Sequence, residues 1–97
     1  MLTFAWDPEK AESNARKHGV TFPEAATAFG DPLSLTIPDP DHSQGQGEAR
    51  YLLIGLTSQG RLVVVGHIED DDESIRLIHA RLAKRTERRD YEEEGST

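Results

Sequence analysis

His67 and Glu69 stand two residues apart at the end of an apolar, β-branched run that begins at Leu62, and Arg76 and Arg81 follow in the next such run. In a strand, side chains two apart share one face at a spacing of about 6 to 7 Å, so an imidazole and a carboxylate would stand side by side. The same alternation puts Arg76 on one face of the following strand and Ile75, Leu77, His79 and Arg81 on the other. A base, an acid and guanidinium groups at one end of a sheet are what metal-free RNA cleavage needs. The base takes the 2′-hydroxyl proton, the acid protonates the leaving oxygen and the cations stabilise the crowded phosphorane. Each proton-transfer partner is typically worth roughly 10²- to 10⁴-fold in rate. These spacings suit a surface cross-strand pair and arginine–carboxylate ion pairs equally well.

Other constellations carry less chemistry. Lys10, Asn14 and His18 recur every four residues and share a helix face, which suits either a phosphate contact or the solvent side above inward-packing Ala11 and Ala15. Asp39, Asp41 and His42 cluster in a polar loop, but their spacing matches no calcium loop or two-histidine zinc motif, so no metal is expected. With no cysteine, disulfides, zinc fingers and thiolate nucleophiles are excluded. There is no glycine-rich phosphate loop, no serine-nucleophile pattern and no sign of a cofactor.

The elements that must position these residues are legible from punctuation. Leu2, Phe4 and Trp6 alternate as a short strand. Asp7-Pro8-Glu9 caps and starts a helix expected to run from Pro8 to about His18, where Gly19 stops it. Thr21-Phe22-Pro23-Glu24 has capping-box spacing and opens a second helix that Asp31-Pro32 ends. Leu33 to Ile37 reads as a strand and Pro38 to Gly47 as a loop. Tyr51 to Leu56, Leu62 to Ile68 and Ile75 to Ala80 read as an antiparallel meander. Leu82 to about Glu94 forms a last helix with almost no apolar face. The expected fold is α+β, in the order β-α-α-β-β-β-β-α, an antiparallel sheet with helices to one side. Ninety-seven residues make one domain, 1–97, with 92–97 as a frayed acidic tail. No stretch approaches the roughly 20 apolar residues that cross a bilayer, and no signal peptide opens the chain, so a soluble, unexported protein without membrane contact is expected.

The formal net charge is −7, which argues against a DNA-coating protein. Residues 76 to 89 nevertheless hold six cations, Arg76, Arg81, Lys84, Arg85, Arg88 and Arg89, against Glu87 alone. That block carries +5 and the remainder −12, a focused basic patch on a repelling surface. The last helix also opposes its own dipole, with Lys84 and Arg85 at the amino end and Glu92 to Glu94 at the carboxyl end. Local rules broken without a folding gain often mark function.

Phe4-x-Trp6-Asp7-Pro8-x-Lys10-Ala11, Asn14-x-x-Lys17-His18-Gly19-Val20, Phe22-x-Glu24-Ala25 and Phe29-x-Asp31-Pro32 occur in that order. His42-Ser43, Glu48-x-Arg50, Ile54-Gly55, Gly60-Arg61, His67-x-Glu69, Ile75-Arg76, Ala80-Arg81 and Glu87-Arg88-x-x-Tyr91 follow. Together these pieces resemble the BrnT-type toxin family over nearly the whole chain. The resemblance implies a RelE-like fold and a metal-independent endoribonuclease that arrests translation in the cytoplasm. It also implies neutralisation by a BrnA-type ribbon-helix-helix antitoxin in a hetero-oligomer, with operator DNA contacted only through that antitoxin. By position it assigns catalysis to Glu69, Arg76, Arg81 and His67 and a phosphate contact to Lys10, while His79 and the basic-patch residues Lys84, Arg85 and Arg88 are expected to contact RNA beside them. Two residues depart from the family pattern: His79 stands where a small hydroxyl residue is expected and Lys84 where threonine is usual. His79 then either adds an acid–base group or caps the strand. A reading from another class is a non-catalytic module that serves only as antitoxin partner and transcriptional co-repressor.

Overall fold

The computed structural model describes residues 1–41 and 48–95. Along the chain, β1 (Thr3–Ala5) leads into α1 (Pro8–His18) and α2 (Phe22–Thr27), the latter closed by a 3₁₀ turn at Ala28–Gly30. β2 (Leu35–Pro38), β3 (Tyr51–Leu56), β4 (Leu62–Glu69), β5 (Ser74–Leu82) and α3 (Arg85–Gly95) complete it. The caps of α1 form as its sequence dictates. Asp7 accepts a hydrogen bond from the Glu9 amide, and Gly19 takes the left-handed conformation at φ 68° and donates to the Ala15 carbonyl. Of the loop from Pro38 to Gly47, residues 42–47, with His42 and Ser43, lie outside the described residues. The acidic run from Glu92 continues α3 to Gly95.

The sheet order is β1-β5-β4-β3-β2. It is mixed rather than wholly antiparallel, because β1 lies parallel to β5, with Phe4 opposite Ile75. The meander expected of β3, β4 and β5 forms, with short connections that impose antiparallel pairing, and β2 adds to β3 in the same sense. The first and last strands have no short connection between them, so nothing constrains them to run oppositely.

The helices also divide between both faces of the sheet. On the first face, Val20, Phe22, Ala25 and Ala28 pack against Leu53, Val63, Val65, Ile75, Leu77 and Ala80. Trp6 meets Phe22 edge-on there at 5.8 Å between ring centroids, and Phe4 meets Phe29 at 5.2 Å. On the second face a smaller cluster, Ile54, Leu62 and Val64, is covered by Leu35, Leu52, Ala83 and Tyr91. Tyr91 is the apolar contact that lets a highly charged helix dock on this side. Its hydroxyl donates to Asp31 Oδ2 at 2.6 Å, and that carboxylate also accepts from the Leu33 and Leu56 amides.

Candidate active site

One irregularity on β5 decides which side chains can meet. Opposite β4, Val64 pairs with Arg81, Val65 with Ala80 and Gly66 with His79, but His67 pairs with Leu77, so Ile78 is an extra residue on β5. Such a bulge shifts the alternation by one. The core confirms the shift: Ile75, Leu77 and Ala80 all enter the first-face cluster, with two residues between the last two instead of one. Arg76, His79 and Arg81 consequently share the second face, opposite Ile68, Gly66 and Val64. Regular alternation had separated Arg76 from the other two. Successive members of this row are roughly 6 to 7 Å apart along the partner strand. Gly66 is part of the device, because a Cβ there would collide with the His79 ring.

Both arginines are held in place. Arg76, with 41% of its side chain exposed, donates to Asp70 at 2.8 Å and to Glu48 at 2.9 Å. Those hydrogen bonds, first to Asp70 and then to Glu48, raise its pKa above the usual arginine value. Arg81 forms a fork with Glu87, 2.7 Å at each oxygen. The fork raises Arg81 and holds Glu87 below the usual carboxylate range against the opposing effect of burial. Glu87 also accepts from the Lys84 amide at 2.8 Å, the reciprocal half of a capping box at the start of α3. The charge reversal seen at this helix terminus is thus partly offset by a carboxylate in its first turn. Lys84, Arg85 and Arg88 are exposed around that terminus, directly after β5.

His67 and Glu69 lie on the other face. The His67 side chain is fully buried, packed edge-on against Phe29 at 4.9 Å and beside Tyr51 at 6.0 Å. Its Nδ1 faces the Val65 carbonyl at 3.1 Å and its Nε2 faces Glu69 Oε2 at 3.3 Å. Since the carbonyl can only accept, Nδ1 donates to it. Glu69 leaves 46% of its side chain exposed at the strand end. The two form the expected pair, yet apart from Arg76 and Arg81, which the bulge and the alternation send to the opposite surface.

α1 resolves differently from its surface pattern. Lys10 and His18 are exposed and border an open cleft of about 200 Å³ beside Ile78. Asn14 on the same face is buried and acts as a backbone partner. Its amide donates to the Val20 and Ala80 carbonyls at 2.9 and 2.8 Å and accepts from the Ala80 amide at 3.0 Å. β1 pairs with β5 only from Ser74 to Arg76, so Asn14 satisfies the edge that β1 leaves uncovered. Its polarity suggested solvent or phosphate, and periodicity gives no means of seeing a strand edge.

Glu24 likewise departs from its motif. Thr21 caps the Glu24 amide at 3.2 Å, but the Glu24 side chain turns inward instead of closing the box. With 4% exposed, it binds the Arg61 guanidinium through both oxygens and accepts from the Thr57 hydroxyl at 2.8 Å. Arg61 also reaches the Gly19 carbonyl at 2.9 Å, tying the end of α1 to the β3–β4 turn. The bond from Arg61 holds Glu24 below the usual carboxylate range, outweighing burial, with help from Thr57.

A family model described as "Ribonuclease toxin, BrnT, of type II toxin-antitoxin system" matches residues 6–87. The crystal structure of the Brucella abortus ribonuclease toxin, BrnT, is similar in fold, with a TM-score of 0.65 and 20% sequence identity over 88% of this chain and 100% of that one. Among curated proteins none matches. Among the described residues no helix is long and apolar enough to cross a membrane.

Proposed function

The chain belongs to the BrnT family of ribonuclease toxins of type II toxin–antitoxin systems, and from that premise we propose that its second sheet face cleaves RNA without a metal. The observation that carries this reading is the row Arg76, His79 and Arg81, brought onto one face by the β5 bulge. Two guanidiniums flanking an imidazole supply the charges and the proton-transfer group of phosphodiester cleavage by the adjacent 2′-hydroxyl. The 2′-oxygen attacks phosphorus as its proton leaves, and the 5′-oxygen departs carrying a proton. Arg76 and Arg81 stabilise the phosphorane while Asp70, Glu48 and Glu87 hold their side chains in the required geometry. Exposed Lys84, Arg85 and Arg88 extend the cationic surface along the RNA, and Lys10 adds a phosphate contact at the β5 edge. Glu69 serves RNA that passes over the end of β4, with buried His67 aiming its carboxylate.

The fold is RelE-like on this reading, and the protein arrests translation in the cytoplasm until a BrnA-type ribbon-helix-helix antitoxin neutralises it. Operator DNA is contacted through that antitoxin alone. Purified chain is expected to cleave single-stranded RNA in EDTA, and Arg76→Ala and Arg81→Ala to abolish growth arrest while melting cooperatively. Full cleavage by both variants would remove the row from the mechanism. A Glu69→Gln variant separates the two carriers of the proton: loss of cleavage assigns the base to Glu69, whereas loss only in His79→Ala assigns it to the row.

One observation favours the non-catalytic module. Both arginines of the row already engage carboxylates within the chain, as structural ion pairs do. Induction of the chain alone without growth arrest or RNA cleavage would select that reading.

A further inference from the structure

The carboxylates at the end of α3 are unfavourable for the helix that carries them, and their placement gives them another use. Asp90, Glu93 and Glu94 follow one another at i, i+3 and i+4, so they share a helix face. Tyr91, anchored on Asp31, fixes that helix against the sheet. The three side chains thereby line one wall of a groove of about 340 Å³, and Leu35, Thr36 and Ile37 of β2 form the other. Among the described residues β2 is the last strand of the sheet, and its outer edge presents backbone groups to a strand that arrives. Ile37 is 44% exposed beside that edge.

We propose that this groove docks an extended segment of the antitoxin, apolar at alternate positions and flanked by Lys or Arg, which adds to β2 as a further strand. The inference rests on the toxin–antitoxin reading for the existence of a protein partner. The occupant follows from charge: three carboxylates on one wall repel RNA, and they repel a second copy of a chain whose net charge is −7. A basic segment gains from them, while backbone pairing supplies affinity and apolar side chains over Leu35 and Ile37 supply register. The groove lies at the acidic carboxyl end of α3, whose amino end carries Lys84 and Arg85, so a segment anchored here can follow the helix toward the catalytic face with the residues that come next.

The test uses the full chain and its co-encoded antitoxin in titration calorimetry. The triple variant Asp90→Lys, Glu93→Lys, Glu94→Lys is expected to weaken binding by about tenfold or more, as three partly exposed pairs would. Ile37→Ser should weaken it further, and antitoxin should slow amide exchange across residues 35–38. Glu92→Lys, on the same turn but another face, should leave affinity unchanged. Wild-type affinity in the triple variant, an equal loss in Glu92→Lys, or no antitoxin binding by the wild-type chain would each overturn the groove. Growth arrest is read separately. Absence of arrest and RNA cleavage in the wild-type chain would overturn the ribonuclease reading, while the affinities would still decide the docking site.

Discussion

On the face covered by α1 and α2, Glu24 keeps 4% of its side chain exposed and closes on Arg61, whereas on the opposite face Arg76 leaves 41% of its own exposed between Asp70 and Glu48. Both arginines are paired, but the pairs do different things. Glu24 ties α2, the end of α1 and the β3–β4 turn together through one carboxylate, and removing Arg61 would leave that buried carboxylate without its cation. Arg76 and Arg81 are held by carboxylates at the rim, where water can replace any partner that an incoming phosphate displaces. The covered face spends its charges on fixing elements; the open face keeps cations oriented and exchangeable. Substitutions on the first should therefore act on stability, and on the second on activity.

The largest effect is expected at Phe22, fully buried beneath Trp6 in the first-face cluster. Phe22→Ala should cost about 3–5 kcal/mol, a large share of the stability of so small a domain, read by urea unfolding. A cost near that of a surface substitution would break the division of labour at its strongest point. Next comes Arg81→Ala, expected to lower RNA cleavage about 10²- to 10³-fold with a melting temperature close to wild type. Arg81→Lys tests the geometry, since an ammonium keeps the charge and loses the fork. Cleavage lost only in step with unfolding would move Arg81 to the structural side.

Glu24→Gln is expected to cost about 1.5–3 kcal/mol at neutral pH, because the Arg61 guanidinium and the Thr57 hydroxyl lose a charged acceptor. Its signature lies in pH. The folded-state pKa of Glu24 is lowered from 4.5, so its contribution is fully present above that value and is lost as pH falls through the depressed one. Wild type should lose stability more steeply than Glu24→Gln as pH drops below about 4.5. Parallel melting curves from neutral to acid pH would show that the buried pair adds nothing linked to protons.

The difference between the faces also marks what could be read beforehand. Local signals gave the elements: Asp7 and Gly19 bound α1 where they form its caps, and turn residues divide β3, β4 and β5. Nothing local reveals that β1 joins β5 in parallel, since Phe4 and Ile75 are 71 positions apart and meet only through tertiary packing. The candidate site was legible as residue types and not as an arrangement. Ile78 looks like any strand residue, yet its insertion puts Arg76 with His79 and Arg81 and leaves His67 and Glu69 behind the sheet. Gly66 held the available clue, a glycine in a strand interior, which often marks a bulge or a close approach. Asn14 and Glu24 were misplaced for a related reason. Helical spacing shows which side chains are neighbours on a helix, but not whether a strand edge or a distant guanidinium waits opposite.

The smallest effect concerns a side-chain contact that links the two faces. Asp31 follows the 3₁₀ turn of the covered side and Tyr91 belongs to α3 on the other, and their 2.6 Å hydrogen bond raises the Tyr91 pKa to about 12. The bond from Asp31 is the main cause, with burial adding to it. A raised folded-state value means that this stability is present below the ordinary tyrosine pKa of 10.0 and disappears as pH climbs to about 12. Tyr91→Phe keeps the ring against the cluster of Ile54, Leu62 and Val64 and removes only the hydroxyl. It should cost about 0.5–1.5 kcal/mol at neutral pH. The gap from wild type should close as pH rises through the alkaline window, followed by tyrosine absorbance and unfolding together. If Tyr91→Phe also weakened antitoxin binding without altering RNA cleavage, the loss would localise to the seating of α3 beside β2. An equal loss of cleavage would show instead that the covered face reaches the open one through this bond.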